Sequence, residues 1–239
     1  MTLIIAIMGK DGIVVASDGQ STENAAGQPI RAVCEKIYSL GKGALWGASG
    51  DGGAIQEVKR QLDALGPTEL QGHRTLCGLF TKIIFGINKP RVERFKALRL
   101  QKSPPILAKA LLAQYDGNSP CIVEFNYDGS TTGYEELGYQ AIGSGNIFAR
   151  ASLQGHQTRN LPLDRAEILG YMTVQKAIEI AAYGLGYPID VWTLSMKQRF
   201  PMVERVTEQK KKALSDTVAA ISSAQMEVLL SHHAPPVNT

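Results

Sequence analysis

Three residues near the start of the chain have the types that acyl-transfer chemistry uses: Thr2, directly after Met1, then Asp18 and Lys36. A threonine hydroxyl is a weak nucleophile at neutral pH and needs an adjacent base. A threonine that begins a chain carries its own base. Its α-amine has an ordinary pKa of about 7.7–8.0, close to working pH, where general-base catalysis is most efficient. A nearby lysine ammonium lowers that pKa and keeps the amine proton-accepting, while a carboxylate keeps a buried lysine charged. While Met1 is attached, Thr2 has an amide in place of this amine. Met before Thr is an ordinary substrate for removal, so a mature form beginning at Thr2 is expected.

The elements around these residues bring them together in pairs. Residues 3–8 and 13–17 are β-rich runs flanking Lys10-Asp11-Gly12, and Asp-Gly between such runs is a strong hairpin signal. A turn centred on Lys10-Asp11 or on Asp11-Gly12 sets Asp18 opposite Leu3 or Ile5, and either register leaves its carboxylate beside Thr2. A second hairpin runs from Lys36 to Leu40, turns at Gly41-Lys42-Gly43 and returns through residues 44–49. It places Lys36 opposite Ala48, beside Gly47. That the two hairpins face each other does not follow from the residues alone.

Helical periodicity follows, with Ile55, Val58, Leu62 and Leu65 on one face and a stop at Gly66-Pro67. A second helix is expected over about 73–86, then an exposed, charged elaboration over 87–104 containing Pro90. A second β block covers about 106–143. Helices are expected near 146–154 and 163–183, a late strand at 188–194, and a final amphipathic helix over 203–231 with Leu214, Val218, Ile221 and Val228 in a stripe. Grouped hairpins argue for antiparallel sheets with segregated helices, an α+β class.

Composition narrows the functional classes. The chain has 239 residues, 44% of them hydrophobic and 20% charged, enough for one well-buried domain. A net charge of +3 gives no electrostatic case for nucleic acid, and Lys210-Lys211-Lys212 reads as a solvated helix face. Cys34, Cys77 and Cys121 suit neither a disulfide framework nor a zinc site and suggest a reducing compartment. The apolar start lacks a basic n-region, and no stretch reaches the roughly 18–20 apolar residues of a membrane span. A cytoplasmic protein with no metal and no cofactor is the expectation.

Four blocks together resemble a known family. Thr2 followed by an apolar strand, a tight turn and Ala16-Ser17-Asp18-Gly19-Gln20 looks like the start of a mature proteasome β-subunit, and resembles the peptidase of the bacterial two-component ATP-dependent protease. Glu35-Lys36-Ile37-Tyr38-Ser39-Leu40 is similar to the family's lysine-bearing strand. Gly47-Ala48-Ser49-Gly50-Asp51 resembles its glycine turn into the first helix, and Ala141-Ile142-Gly143-Ser144-Gly145 its second signature. The blocks stand in the family's order, with about two extra residues between Asp18 and Lys36. The resemblance covers roughly residues 2–200, read as the peptidase domain, and leaves 201–239 as a C-terminal helix and short polar tail packed on that domain or on a neighbour.

The resemblance implies a four-layer αββα sandwich, two antiparallel sheets between helix layers, of the N-terminal-nucleophile hydrolase type. It implies a threonine endopeptidase with Thr2 as nucleophile, Lys36 and Asp18 as its electrostatic support, the Gly47 N–H as oxyanion donor and Ser144 assisting the Thr2 amine. Thr22, Gly47 and Ser49 would pair with substrate backbone, and Leu45, with the neighbourhood of Val33, would line the first specificity pocket. Polypeptide substrates, six- or seven-fold homo-oligomeric rings stacked in pairs and an ATPase cap docking near 87–104 complete the implied picture. No nucleic acid or membrane partner is implied. The family's late Asp-x-x-Ser-Gly motif is displaced. One register puts Ala182 and Leu185 at its polar positions; the other makes Asp190 and Thr193 the motif. Two alternatives stand beside the peptidase: a catalytically silent ring subunit, and an N-terminal-nucleophile amidohydrolase acting on a small amide.

Overall fold

The computed structural model describes residues 2–25, 28–66, 70, 72–98, 105–180 and 184–231. Pro67, residues 99–104, Ala182, His232 and His233 lie outside them. The first hairpin is β1 (Ile4–Met8) and β2 (Gly12–Asp18), paired antiparallel with Ile4 opposite Ser17. Every residue of both strands is buried. Alternation splits them between two faces. Leu3, Ile5, Ile7, Val14 and Ala16 pack toward helices, while Ile4, Ala6, Ile13 and Val15 pack toward a second sheet.

β3 (Gln20–Ala25) and β4 (Gln28–Val33) form a separate two-stranded ribbon that the residue pattern does not announce. β5 (Ile37–Leu40) and β6 (Ala44–Ser49) are the expected second hairpin, with Ile37 opposite Gly47. β7 (Lys109–Asp116), β8 (Ser119–Phe125) and β9 (Thr131–Gly133) extend that sheet in the order β5-β6-β7-β8-β9. The other sheet runs β10-β1-β2-β11-β12, with β10 (Tyr139–Ile142), β11 (Ile189–Lys197) and β12 (Phe200–Arg205). The β11–β12 hairpin crosses the domain boundary expected at residue 200, so residues 201–205 are sheet rather than the start of a helix.

Helices close both sides. α1 (Gly52–Asp63) and α2 (His73–Ala97) cover the second sheet through a cluster of Val58, Leu62, Phe80, Ile84, Trp46 and Phe125. α3 (Asn146–Leu153), α4 (Leu163–Ile180) and the first half of α5 (Glu208–Ser231) cover the first sheet. The two sheets pack on each other through Ile4, Ile13, Leu45, Leu111 and Ile122. The layers are therefore αββα, the sandwich the family resemblance implies.

Two readings of charged sequence need correction. The segment 87–104 is helix as far as it is described: α2 continues through Pro90 to Ala97, with Ile87 and Asn88 buried and none of residues 89–98 buried, so the expected exposure holds but not a break in the helix. Asn88 is what the burial serves. Its side chain donates to the Ala108 and Tyr127 carbonyls at 2.8 and 2.9 Å and accepts from the Ala108 N–H at 2.9 Å. Lys211, read as solvated, is buried with its ammonium 2.7 Å from Glu208 and 3.4 Å from Asp190. Beyond Ile221 the helix leaves the body, and Val228, expected in the packed stripe, is 58% exposed.

Removing the Asn88 amide leaves buried backbone groups of Ala108 without partners, which costs about 1–3 kcal/mol. Asn88→Ala should lower the unfolding free energy by that amount, read as a lower urea midpoint at an unchanged m-value.

Candidate active site

The site is built where the ends of the two sheets meet. The β1–β2 register carries on past Ile4, so that Leu3 and Asp18 face each other: the Leu3 N–H donates to Asp18 Oδ1 at 2.8 Å and the Asp18 N–H to the Leu3 carbonyl at 3.2 Å. Of the two expected registers, this is the one opposite Leu3. The same Oδ1 accepts from Lys36 Nζ at 2.7 Å, and Lys36 also donates to the Gln20 carbonyl at 2.6 Å. The other carboxylate oxygen takes the N–H groups of Gln20 and Gly186, both at 3.3 Å. The pair is closed off from solvent, the side chains being 5% and 0% exposed. The two hairpins thus do face each other. One oxygen holding both Leu3 and Lys36 sets the ammonium beside the backbone that leads into Thr2.

Thr2 is gripped from the other side. Gly143, at φ +94°, follows β10, and a side chain there would have its first carbon 2.1 Å from the Thr2 carbonyl oxygen. Only glycine allows that approach. The Thr2 N–H donates to the Ser144 hydroxyl at 3.3 Å, and the Gly145 N–H donates to the Thr2 carbonyl at 3.3 Å. Thr2 opens onto a cleft of about 520 Å³ bordered by Ser49, Gly50, Gly143 and Ser144 and by Ile106, Leu107, Lys109 and Tyr127.

Gly47 does not reach this cleft. It lies inside β6, opposite Ile37 on one side and Leu111 on the other. A residue flanked on both sides directs its N–H into the ladder. Its lack of a side chain has a packing reason instead, since a Cβ there would come within 2.6 Å of the Lys36 carbonyl oxygen. Gly50, the first residue past the strand and at φ +134°, lines the cleft with Thr2.

Leu45 is also corrected. It is fully buried in the layer between the sheets, and a side chain with no exposed surface cannot line an open pocket. Val33 ends the outer ribbon, 74% exposed. Thr22 stands in that ribbon opposite Arg31. Ser49 is buried at the end of β6 and borders the cleft, opposite Lys109 in the sheet.

Asp190 and Thr193 do not support Thr2. The Asp190 carboxylate is held by Arg205 at 3.0 and 3.1 Å and by the Trp192 indole N–H at 2.9 Å. Thr193 sits further along β11, opposite Val14. Leu185, from the other register, is buried with Leu3 in the core beside Gly145. A leucine thus stands where the family pattern has a polar group.

Also bordering the cleft, Lys109 Nζ is 3.1 Å from Glu124 and 5.8 Å from the centre of the Tyr127 ring. Glu124 also accepts from the Tyr134 hydroxyl at 2.9 Å and from the Gln140 amide. Burial, with the Glu124 carboxylate beside it, pushes the Tyr134 phenol up to about 12 and keeps it a donor. Burial likewise pushes the Cys121 thiol up to about 12 and the Cys34 and Cys77 thiols upward, which leaves all three poor nucleophiles. Among the described residues no group of three or more His, Cys, Asp or Glu is placed to hold a metal ion, and no helix is long and apolar enough to cross a membrane.

The layered sandwich, with mixed helices and antiparallel sheets, is a proteasome-type fold, and comparison with known proteins points the same way. The family model for proteasome subunits matches residues 88–192. The proteasome subunit beta of Mycobacterium leprae is 30% identical over 161 residues, covering 64% of this chain and 52% of that protein. The proteasome subunit beta of Mycolicibacterium paratuberculosis is 28% identical over 173 residues, covering 69% and 54%. The chain spans about half the length of these curated relatives. Among solved structures it is similar to the Anbu complex of Pseudomonas aeruginosa, described as a helical assembly, with a TM-score of 0.74, 15% identity and 98% of each chain covered. It is equally similar to Anbu, an ancestral beta-subunit, from Yersinia bercovieri, with a TM-score of 0.74, 13% identity and 99% of each chain covered. At those identities the likeness shows the fold. Together these matches support a bacterial proteasome-like family.

Removing one member of a buried ion pair strands the other charge, at about 3–5 kcal/mol. Lys36→Met should lower unfolding stability by that amount, and adding Asp18→Asn should recover part of it, read by a double-mutant cycle in urea. Gly143→Ala should cost about 1–3 kcal/mol from its positive φ alone, before the clash with Thr2.

Proposed function

We propose that the chain is a threonine-type peptidase subunit, active once Thr2 begins the chain. The observation that carries this reading is the buried Asp18–Lys36 pair bonded to Leu3, with Thr2 held by Ser144 at the mouth of a cleft. The freed amine, kept neutral by the Lys36 ammonium, takes the hydroxyl proton as Thr2 Oγ attacks the scissile carbonyl. The Gly50 N–H meets the oxyanion, a contact worth about 2.7–4 kcal/mol where comparable donors have been removed. Collapse expels the amine product, which takes the proton back, and leaves an ester on Thr2. Water then attacks the ester, the amine accepting its proton, and Thr2 is regenerated. Ser144 holds the amine and relays protons.

Substrate is a polypeptide in extended form, paired with strand edges near Ser49 and Thr22. The subunit works in a homo-oligomer. The likeness to proteasome subunits supports this, as does the end of α5, where Met226, Val228, Leu229 and Leu230 are 57–69% exposed outside the body. Stacked six- or seven-fold rings are one form, and a helical arrangement like that described for the similar Pseudomonas aeruginosa complex is the other. An ATPase cap docking near 87–104 would meet the described part of that segment as the end of helix α2.

A second reading, a silent structural subunit, is favoured by one observation: the apolar Leu185 beside Leu3 and Gly145. Intact-mass measurement of the N-terminus, with hydrolysis of short fluorogenic peptides, separates the two. The peptidase reading expects a chain beginning at Thr2 whose turnover falls by at least about a thousandfold in Thr2→Ala. A chain shown to begin at Thr2 that turns over no peptide, or turnover unchanged by Thr2→Ala, would overturn it.

A further inference from the structure

The cleft beside Thr2 is bordered by small residues, Ser49, Gly50, Gly143 and Ser144, and by large side chains, of which Ile106 is 68% and Tyr127 54% exposed. Large apolar surface left open at a cleft favours an apolar occupant, since its burial is worth roughly 25 cal/mol per Å². A cleft of about 520 Å³ has room for an aromatic side chain.

The border of large residues is rigidly placed. Asn88 ties it at two points, Ala108 and the Tyr127 carbonyl, so both strand-end segments hang from one buried amide. Lys109 is fixed as well. Glu124 holds its ammonium at 3.1 Å and is itself held by Tyr134 and Gln140. Gln140 in turn bonds the Ala141 N–H at 2.9 Å, two residues before Gly143. With Glu124 taken up by Lys109, the residues that border the cleft offer a substrate cation no free carboxylate, only the Lys109 ammonium.

We propose that Ile106, Tyr127 and Lys109 form a specificity subsite that takes a large apolar or aromatic substrate side chain beside the scissile bond and rejects lysine and arginine. This inference rests on the peptidase reading of Thr2. Tyr127 offers a ring face or edge to an aromatic residue, and Ile106 covers its other side. Lys109 supplies the repulsion, the half of specificity that contacts to the preferred residue cannot provide. Neither Val33 nor Leu45, where the first specificity pocket was expected, is among the residues that border this cleft.

Internally quenched peptides, varied one position at a time on both sides of the cut, test this with the full chain beginning at Thr2. At one position phenylalanine and leucine should exceed alanine in kcat/KM by about tenfold or more, and lysine should fall below alanine. Tyr127→Ala should bring the phenylalanine-to-alanine ratio close to one, Tyr127→Phe should keep it, and Lys109→Met should admit lysine. A ratio unaltered in Tyr127→Ala overturns the subsite. Labelling of Thr2 by a small electrophile without side chains separates the two claims. A labelled protein with no such preference overturns the subsite alone, whereas an unlabelled one with no turnover overturns the peptidase reading and the subsite with it.

Discussion

The rest of the site depends on one buried carboxylate. Asp18 takes four hydrogen bonds from four places in the chain: Leu3 at the start of β1, Gln20 after β2, Lys36 before β5 and Gly186 ahead of β11. Taking an ammonium and a carboxylate out of water costs several kcal/mol each, and the cost is met only where every remaining lone pair and proton finds a partner. That requirement fixes geometry. A one-residue slip of β1 against β2 would turn Asp18 to the other face, leave Lys36 alone in the interior and carry Leu3 away from its partner. The apolar alternation of β1 and β2 and the ion pair therefore demand the same register. The pair marks the junction of the two sheets at the point where Thr2 emerges.

Around that junction the local rules serve access. The 143–145 turn is glycine on both sides of Ser144, and its backbone and hydroxyl take both polar groups of the Thr2 backbone. β6 ends at Ser49, so that Gly50 is the first backbone amide outside the sheet on the Thr2 side. What is unusual is the third side. Leu185 packs beside Leu3 and Gly145 with no polar group to offer the amine, and Asp190, the carboxylate of the other register, is committed to Arg205, Trp192 and Lys211. The polar hold on Thr2 accordingly falls to Ser144 and to the Asp18–Lys36 pair.

Most of this was legible where burial dictated pattern. Both N-terminal hairpins, the late strand and the helices after Gly145 stand out because one face of each must be apolar. The ribbon of β3 and β4 was not, because it belongs to neither sheet and so needs no alternation. α2 was cut short because Pro90 and the basic residues around it look like a helix end. One buried residue, Asn88, keeps that stretch on the body, and no periodicity reveals a single amide bonding Ala108 and Tyr127. Lys211 was read as solvated because one of its partners, Asp190, is remote in sequence. For the oxyanion donor, motif matching chose Gly47, whereas the strand boundary pointed to Gly50. Both glycines matter, one for sheet packing and the other for its place on the cleft.

The central claim is electrostatic: Lys36, kept charged by Asp18, acts on the amine of Thr2. Its most direct test is the pH dependence of the rate at which a small electrophile modifies Thr2 in protein shown to begin at that residue. The account predicts a half-maximal rate at a pH below the ordinary α-amine range of about 7.7–8.0, since a neighbouring ammonium favours the neutral amine. An inflection at or above the ordinary range would contradict it.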